Sequence, residues 1–141
     1  MRSKVILNLL GGYDLLMSLG AFYIGVNMIF EKGVFNEYPK EWLSKVPFQN
    51  WFLPAIIGIV VFGLGNCIAA IFSFRRKGNL SWIVSAIMAG IFFLSMVAQY
   101  IIFREWYLPS SMLLMLSIIQ IIICGFAFSC YSNAVLKGEA L

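Results

Sequence analysis

Histidine is absent from the 141 residues, and charged side chains make up only 11% of them. The missing imidazole removes the commonest general base and metal ligand. Cysteine is scarce as well: Cys67, Cys124 and Cys130 include no CxxC pair, so a membrane thiol oxidoreductase loses its main support. Glycine-rich phosphate loops, zinc-ligand spacings and basic nucleic-acid faces are missing too. No nucleophile–base pair can be assembled from what remains. The sequence therefore gives no catalytic residue, no metal site, no cofactor and no nucleic-acid partner.

What the chain has in abundance is apolar residues, 62% of the total, with a mean hydropathy of +0.91. They come as four long runs instead of at the helical spacing of a soluble amphipathic protein. The runs cover residues 5–30, 51–74, 80–103 and 108–131. Each is long enough to cross a hydrocarbon layer of ~30 Å with some tilt. The expected fold is all-α, an antiparallel four-helix transmembrane bundle with an aromatic interfacial outer loop over residues 31–50. It forms one membrane domain over residues 1–141. The first run follows Arg2 and Lys4 but is too long for a signal core and carries Asp14, so it reads as a retained helix.

Lys and Arg set the orientation. Arg2, Lys4, Arg75, Arg76, Lys77 and Lys137 fall on one side, with no acid inside the Arg75–Lys77 cluster. Lys32, Lys40, Lys45 and Arg104 fall on the other, interleaved with Glu31, Glu37, Glu41 and Glu105. The positive-inside rule then places both termini in the cytoplasm, in a multi-pass protein of the cell membrane. The net charge of +4 is a signal for topology and lipid headgroups.

Asp14 stands out within the first run. Projected on a helix, Gly11, Asp14, Ser18, Ala21 and Gly25 form one stripe, the small and polar seam by which membrane helices approach closely. Leu15, Phe22 and Ile24 fall away from its centre. Ser117, Gln120, Cys124, Ala127 and Tyr131 form a similar seam in the fourth run, Gly58, Gly65 and Ala69 with Asn66 in the second, and Ser85 and Ala89 in the third. Counted at ~1.5 Å per residue from the cytoplasmic end, Asp14, Asn66 and Gln120 lie about 14, 12 and 18 Å deep. They share a layer, while Gln99 falls near the outer surface. An acid at that depth costs roughly 2.5–3.5 kcal/mol on insertion scales. Protonated, it hydrogen-bonds to Asn66 or Gln120; ionised, it needs a cation or water. Asp14, Ser18, Asn66 and Gln120 are the candidate ligand-binding or coupling residues.

The outer loop is rich in aromatic residues. Tyr38, Trp42, Trp51 and Trp106 are the expected outer rim, suited to the headgroup zone. Pro39 opens a predicted short helix with Trp42 and Leu43 toward the membrane, and Pro47 stops it.

The stretch "YPKEWLSKVPFQNWFLPAIIGIVVFGLGNCIAA", residues 38–70, resembles small, uncharacterised bacterial four-helix integral membrane proteins. In these a Trp-Leu pair and a "PF" lead through a proline into a glycine-rich second helix. The resemblance implies the fold and no activity. Asp14 also resembles the first-helix acid of small multidrug-resistance transporters, but it is Asp where they carry Glu, its flanks differ and the outer loop is longer. The leading expectation is a non-enzymatic membrane protein that binds a lipid, a small hydrophobic ligand or another membrane protein. The alternative is a proton-coupled small-molecule exporter acting as a homodimer, with Asp14 as the coupling acid.

Overall fold

The computed structural model describes residues 2–33, 41–76, 79–105, 108–136 and 138, the side chains of 2 and 3 excepted. Every regular element among the described residues is helical. α1 covers Arg2–Ile29, and α2 is a single turn, Glu41–Ser44. α3 covers Phe52–Arg75, with α-helical ends Phe52–Gly58 and Gly65–Arg75 around a π-helical stretch, Ile59–Leu64. α4 is Leu80–Phe103 and α5 is Leu108–Leu136. Four of these, α1, α3, α4 and α5, are long and apolar enough to cross a membrane. In hydrocarbon, where water cannot satisfy peptide groups, a helix keeps each N–H and C=O paired within one segment.

Three helices end on residues in the left-handed region. Arg76 (φ 48°) closes α3 and Arg104 (φ 55°) closes α4, while Glu31 (φ 50°) follows α1. The Arg104 amide donates back to the Tyr100 carbonyl at 2.8 Å, satisfying a group the helix end would leave free. α5 continues five residues beyond the expected end at Tyr131, because no proline or glycine interrupts Ser132–Leu136; Gly138 (φ 65°) follows.

The helices close a ring in which α1 meets α3 and α5, and α4 meets α3 and α5. Along the α1–α3 seam, Gly11 faces the Phe74 ring, Ser18 faces Gly63 and Gly25 faces Ile59. The last contact is the tightest: a Cβ on Gly25 would stand 2.3 Å from Ile59 Cγ1. Phe22, expected away from the seam, lays its ring over Gly63, which has no side chain to exclude it. Between α3 and α4, the Phe62 and Phe92 rings meet at 5.2 Å.

Polarity is sorted inside out. Leu9, Leu16, Leu19, Leu94, Ile101, Met115 and Ile122 face outward. Asp14, Ser18, Asn66, Ser73, Ser81, Ser85, Ser117 and Gln120 are buried between the helices. That suits a lipid solvent, where apolar exposure costs nothing and polar groups find partners within the bundle. An apolar cluster of Leu7, Leu10, Ala89, Cys124 and Ala127 packs beside this polar layer.

Candidate functional site

The polar layer is assembled from all four long helices. Gln120 of α5 donates both Nε2 protons, to Asp14 Oδ1 of α1 and Asn66 Oδ1 of α3, each at 2.9 Å. Ser85 of α4 hydrogen-bonds to the other carboxyl oxygen, Asp14 Oδ2. Asp14 and Gln120 are wholly buried. Each carboxyl oxygen has one partner, and no ion pair reaches Asp14 among the described residues.

Asn66 is oriented toward Gln120 by the π stretch beside it. Two carbonyls of that stretch accept from side chains, and the Phe62 carbonyl accepts from the Gly65 amide as well. Asn66 Nδ2 donates to the Phe62 carbonyl at 2.8 Å, and Ser18 Oγ donates to the Gly63 carbonyl at 2.7 Å. With its amide nitrogen committed to Phe62, Asn66 offers only Oδ1 to Gln120. Ser18 thus lies next to the Asp14–Asn66–Gln120 group but bonds to backbone, not to the carboxyl.

A second chain of hydroxyls extends from Ser85. Ser73 Oγ lies 3.4 Å from Ser85 Oγ and donates to the Ser81 carbonyl at 2.8 Å. The sequence reading placed Ser85 among packing residues and did not single out Ser73. The legible signal was the i, i+4 pair Ser81 and Ser85 on one face of α4.

The outer rim is only partly described. Tyr38, Pro39 and Trp106 lie outside the described residues. Trp42 does not turn toward the membrane: it is 2% exposed, stacked on Phe103 with ring centroids 4.4 Å apart. Its indole N–H donates to Glu105 Oε2 at 2.8 Å, which supplies the polar partner that a headgroup would otherwise provide. Lys45 joins them, 3.5 Å from Glu105 Oε1 and donating to the Phe103 carbonyl at 3.1 Å. The Trp42 hydrogen bond and then the Lys45 ammonium hold the Glu105 carboxyl below its ordinary value. Trp51 is half-buried at the start of α3, and its carbonyl accepts from the Ala55 amide at 3.0 Å. Gln99, near the same end, donates to Ser110 Oγ at 2.9 Å.

The surface carries one further feature. A partly open groove of about 280 Å³ runs between α4 and α5, lined by Trp82, Ala86, Ala89, Cys124, Gly125 and Phe128. Its small side chains form the floor, and the Trp82 and Phe128 rings, 4.9 Å apart, stand together on it. The Trp82 indole N–H has no acceptor among the described residues. No group of three or more His, Cys, Asp or Glu gathers among the described residues. Compared with known proteins, the chain matches no family model, no curated protein and no solved structure.

Proposed function

We propose that this is a non-enzymatic protein of the cell membrane that binds a lipid through the apolar groove between α4 and α5. The observation that carries the reading is the contrast between a sealed polar layer and an open apolar groove. Asp14 has no exposed surface and both its oxygens are engaged, so its carboxyl is closed to a ligand from outside the bundle. The groove is open, apolar and on the surface that lipid would surround. The pairing of Gly11 with Phe74 and Gly25 with Ile59 supports an antiparallel course for α1 and α3. Together with the Lys and Arg asymmetry, that course supports a reading with both termini in the cytoplasm.

Filling the groove tests the reading. A Cβ on Gly125 meets nothing within 4 Å, and Gly125 lines the groove, so Gly125→Leu places its side chain where the lipid would lie. Native mass spectrometry of the protein released from phospholipid nanodiscs should show retained lipid on the wild type and its loss in Gly125→Leu. Equal retention by both, or none on the wild type, rejects the groove as a lipid site.

The exporter reading has one observation in its favour, a carboxyl at membrane depth with no cation beside it. A substrate there would have to displace Ser85 and Gln120 from Asp14. Proton release on adding hydrophobic cations, abolished in Asp14→Asn, would favour it over the lipid reading.

A further inference from the structure

The hydrogen bonds around Asp14 run in one direction. The Phe62 carbonyl takes the Asn66 amide nitrogen, which turns Asn66 Oδ1 toward Gln120. Gln120 must therefore present Nε2 to Asn66, and the same nitrogen donates to Asp14 Oδ1. Asp14 Oδ1 is held as an acceptor. A proton on this carboxyl belongs on Oδ2, facing Ser85.

The hydroxyls beyond Ser85 count the same way. Each serine has one proton to donate. The Ser73 proton goes to the Ser81 carbonyl, so the Ser73–Ser85 contact can be bridged only by the Ser85 proton. If Asp14 is ionised, Ser85 spends that proton on the carboxylate, and two hydroxyl oxygens face each other with nothing between them. If Oδ2 is protonated, Asp14 donates to Ser85, Ser85 to Ser73, and Ser73 to the Ser81 carbonyl. Every short oxygen–oxygen contact in the chain then carries a proton, where the ionised state leaves the Ser73–Ser85 contact without one.

The surroundings agree. Asn66 faces Asp14 from α3 through Gln120, Ser85 from α4, and Gln120 from α5. The titratable side chains within its electrostatic reach are Tyr13 on α1 and Cys124 on α5, neither of which brings a positive charge. A carboxylate there would have no counter-ion.

We infer that Asp14 is a proton-binding site with its proton on Oδ2, and that Ser85 and Ser73 form a hydroxyl relay from it to the Arg75–Arg76 end of the bundle. Ser73 lies near the end of α3 and Ser81 near the start of α4, flanking the turn where the two helices meet. Exchange passes one proton along the chain. Asp14 gives its proton to Ser85, Ser85 its own to Ser73, and Ser73 its own to a water admitted at that end. Return of a proton from water re-forms each O–H bond. The ligand is a proton and the exchange partner is water at one face. The inference rests on these hydrogen bonds alone and holds whether or not the groove takes a lipid.

Infrared difference spectroscopy on the protein in nanodiscs tests both halves. At neutral pH the wild type should show a protonated-carboxyl C=O band that is missing from Asp14→Asn. On transfer to D2O the band should shift, at least tenfold more slowly in Ser73→Ala than in the wild type. Ser73→Thr keeps a hydroxyl and should restore the rate. Ser95→Ala, whose hydroxyl donates to the Ile91 carbonyl of its own helix and lies off the relay, should leave it unchanged. A carboxylate signal from Asp14 in place of the C=O band overturns the proton site. Equal exchange in Ser73→Ala and the wild type overturns the relay. If Ser73→Ala does not fold, Ser85→Ala carries the same comparison.

Discussion

Ser18 of α1 donates its hydroxyl proton to the backbone carbonyl of Gly63, 2.7 Å away in the π stretch of α3. A side chain of one helix thus bonds to the backbone of another inside the π stretch. Removing the hydroxyl takes a buried hydrogen bond away from that carbonyl in a low-dielectric interior. Ser18→Ala should cost about 0.6–1.7 kcal/mol, the range for hydrogen bonds between membrane helices. Ser129→Ala should cost less, since Ser129 is exposed and bonds only to its own helix at Gly125. Thermal or denaturant unfolding in detergent compares the two.

Gln120 is the member of the polar layer that touches two others. Gln120→Leu fills a similar volume but takes the donor away from Asp14 and Asn66 together. The expected loss is about 1–3 kcal/mol, because two buried acceptors are left unpaired instead of one. Gln99→Leu removes only the half-buried contact to Ser110 and should lose less. The same unfolding assay reads both, and equal losses would contradict the two-partner role of Gln120.

Two glycines separate backbone crowding from side-chain crowding. Gly25→Ala sets a methyl 2.3 Å from Ile59 Cγ1, on a β-branched side chain that rotates little. Gly65→Ala sets one 2.6 Å from Met88 Cε, the free end of a flexible side chain. Overpacking should make Gly25→Ala destabilising by about 1–3 kcal/mol. Gly65→Ala should be near neutral, since the gain in helix propensity, about 1 kcal/mol, offsets the adjustment of Met88. Melting temperatures of the two variants in one detergent decide it.

The outer end should respond to acid. The folded-state value of Glu105 lies below its ordinary value of 4.5, chiefly through the Trp42 hydrogen bond. Its contribution is therefore complete above that ordinary value and is lost as pH falls through the folded value. Indole fluorescence of the wild type should change over this acidic window as Trp42 loses its acceptor. Glu105→Gln should flatten the change; a transition that survives it belongs to another group.

Much of this was readable from residues alone, and the parts that were not have physical causes. Four runs of apolar residues dictate four helices because a bilayer leaves the backbone few other choices. The shared depth of Asp14, Asn66 and Gln120 follows from a fixed rise per residue. The π stretch could not be read: Ile59–Leu64 contains no residue that demands a wider turn, and the side chains that bond to its carbonyls, Ser18 and Asn66, lie outside it. Ser73 escaped notice and Ser85 was read only as a packing residue, because a serine in a membrane helix bonds as readily to its own backbone as to a neighbour. Ser95 does so, donating to the Ile91 carbonyl at 2.8 Å. Trp42 was misplaced because an aromatic in an interfacial loop suits headgroups and a protein partner equally, and Glu105 lies far from it in sequence.

Within the π stretch lies one residue of slack. Each α-helical residue turns the chain by about 100°, and a π turn holds about one residue more than an α turn. Excising one residue from 60–64 would let the turn close to α with its two flanks near their present phase. Excising a residue between Ala55 and Ile59 has no such slack: one flank would wind by roughly that angle, and the Gly25 seam and the Gln120 contact could not both survive. The second membrane span can therefore absorb the loss of a residue at its middle far more readily than nearer its start.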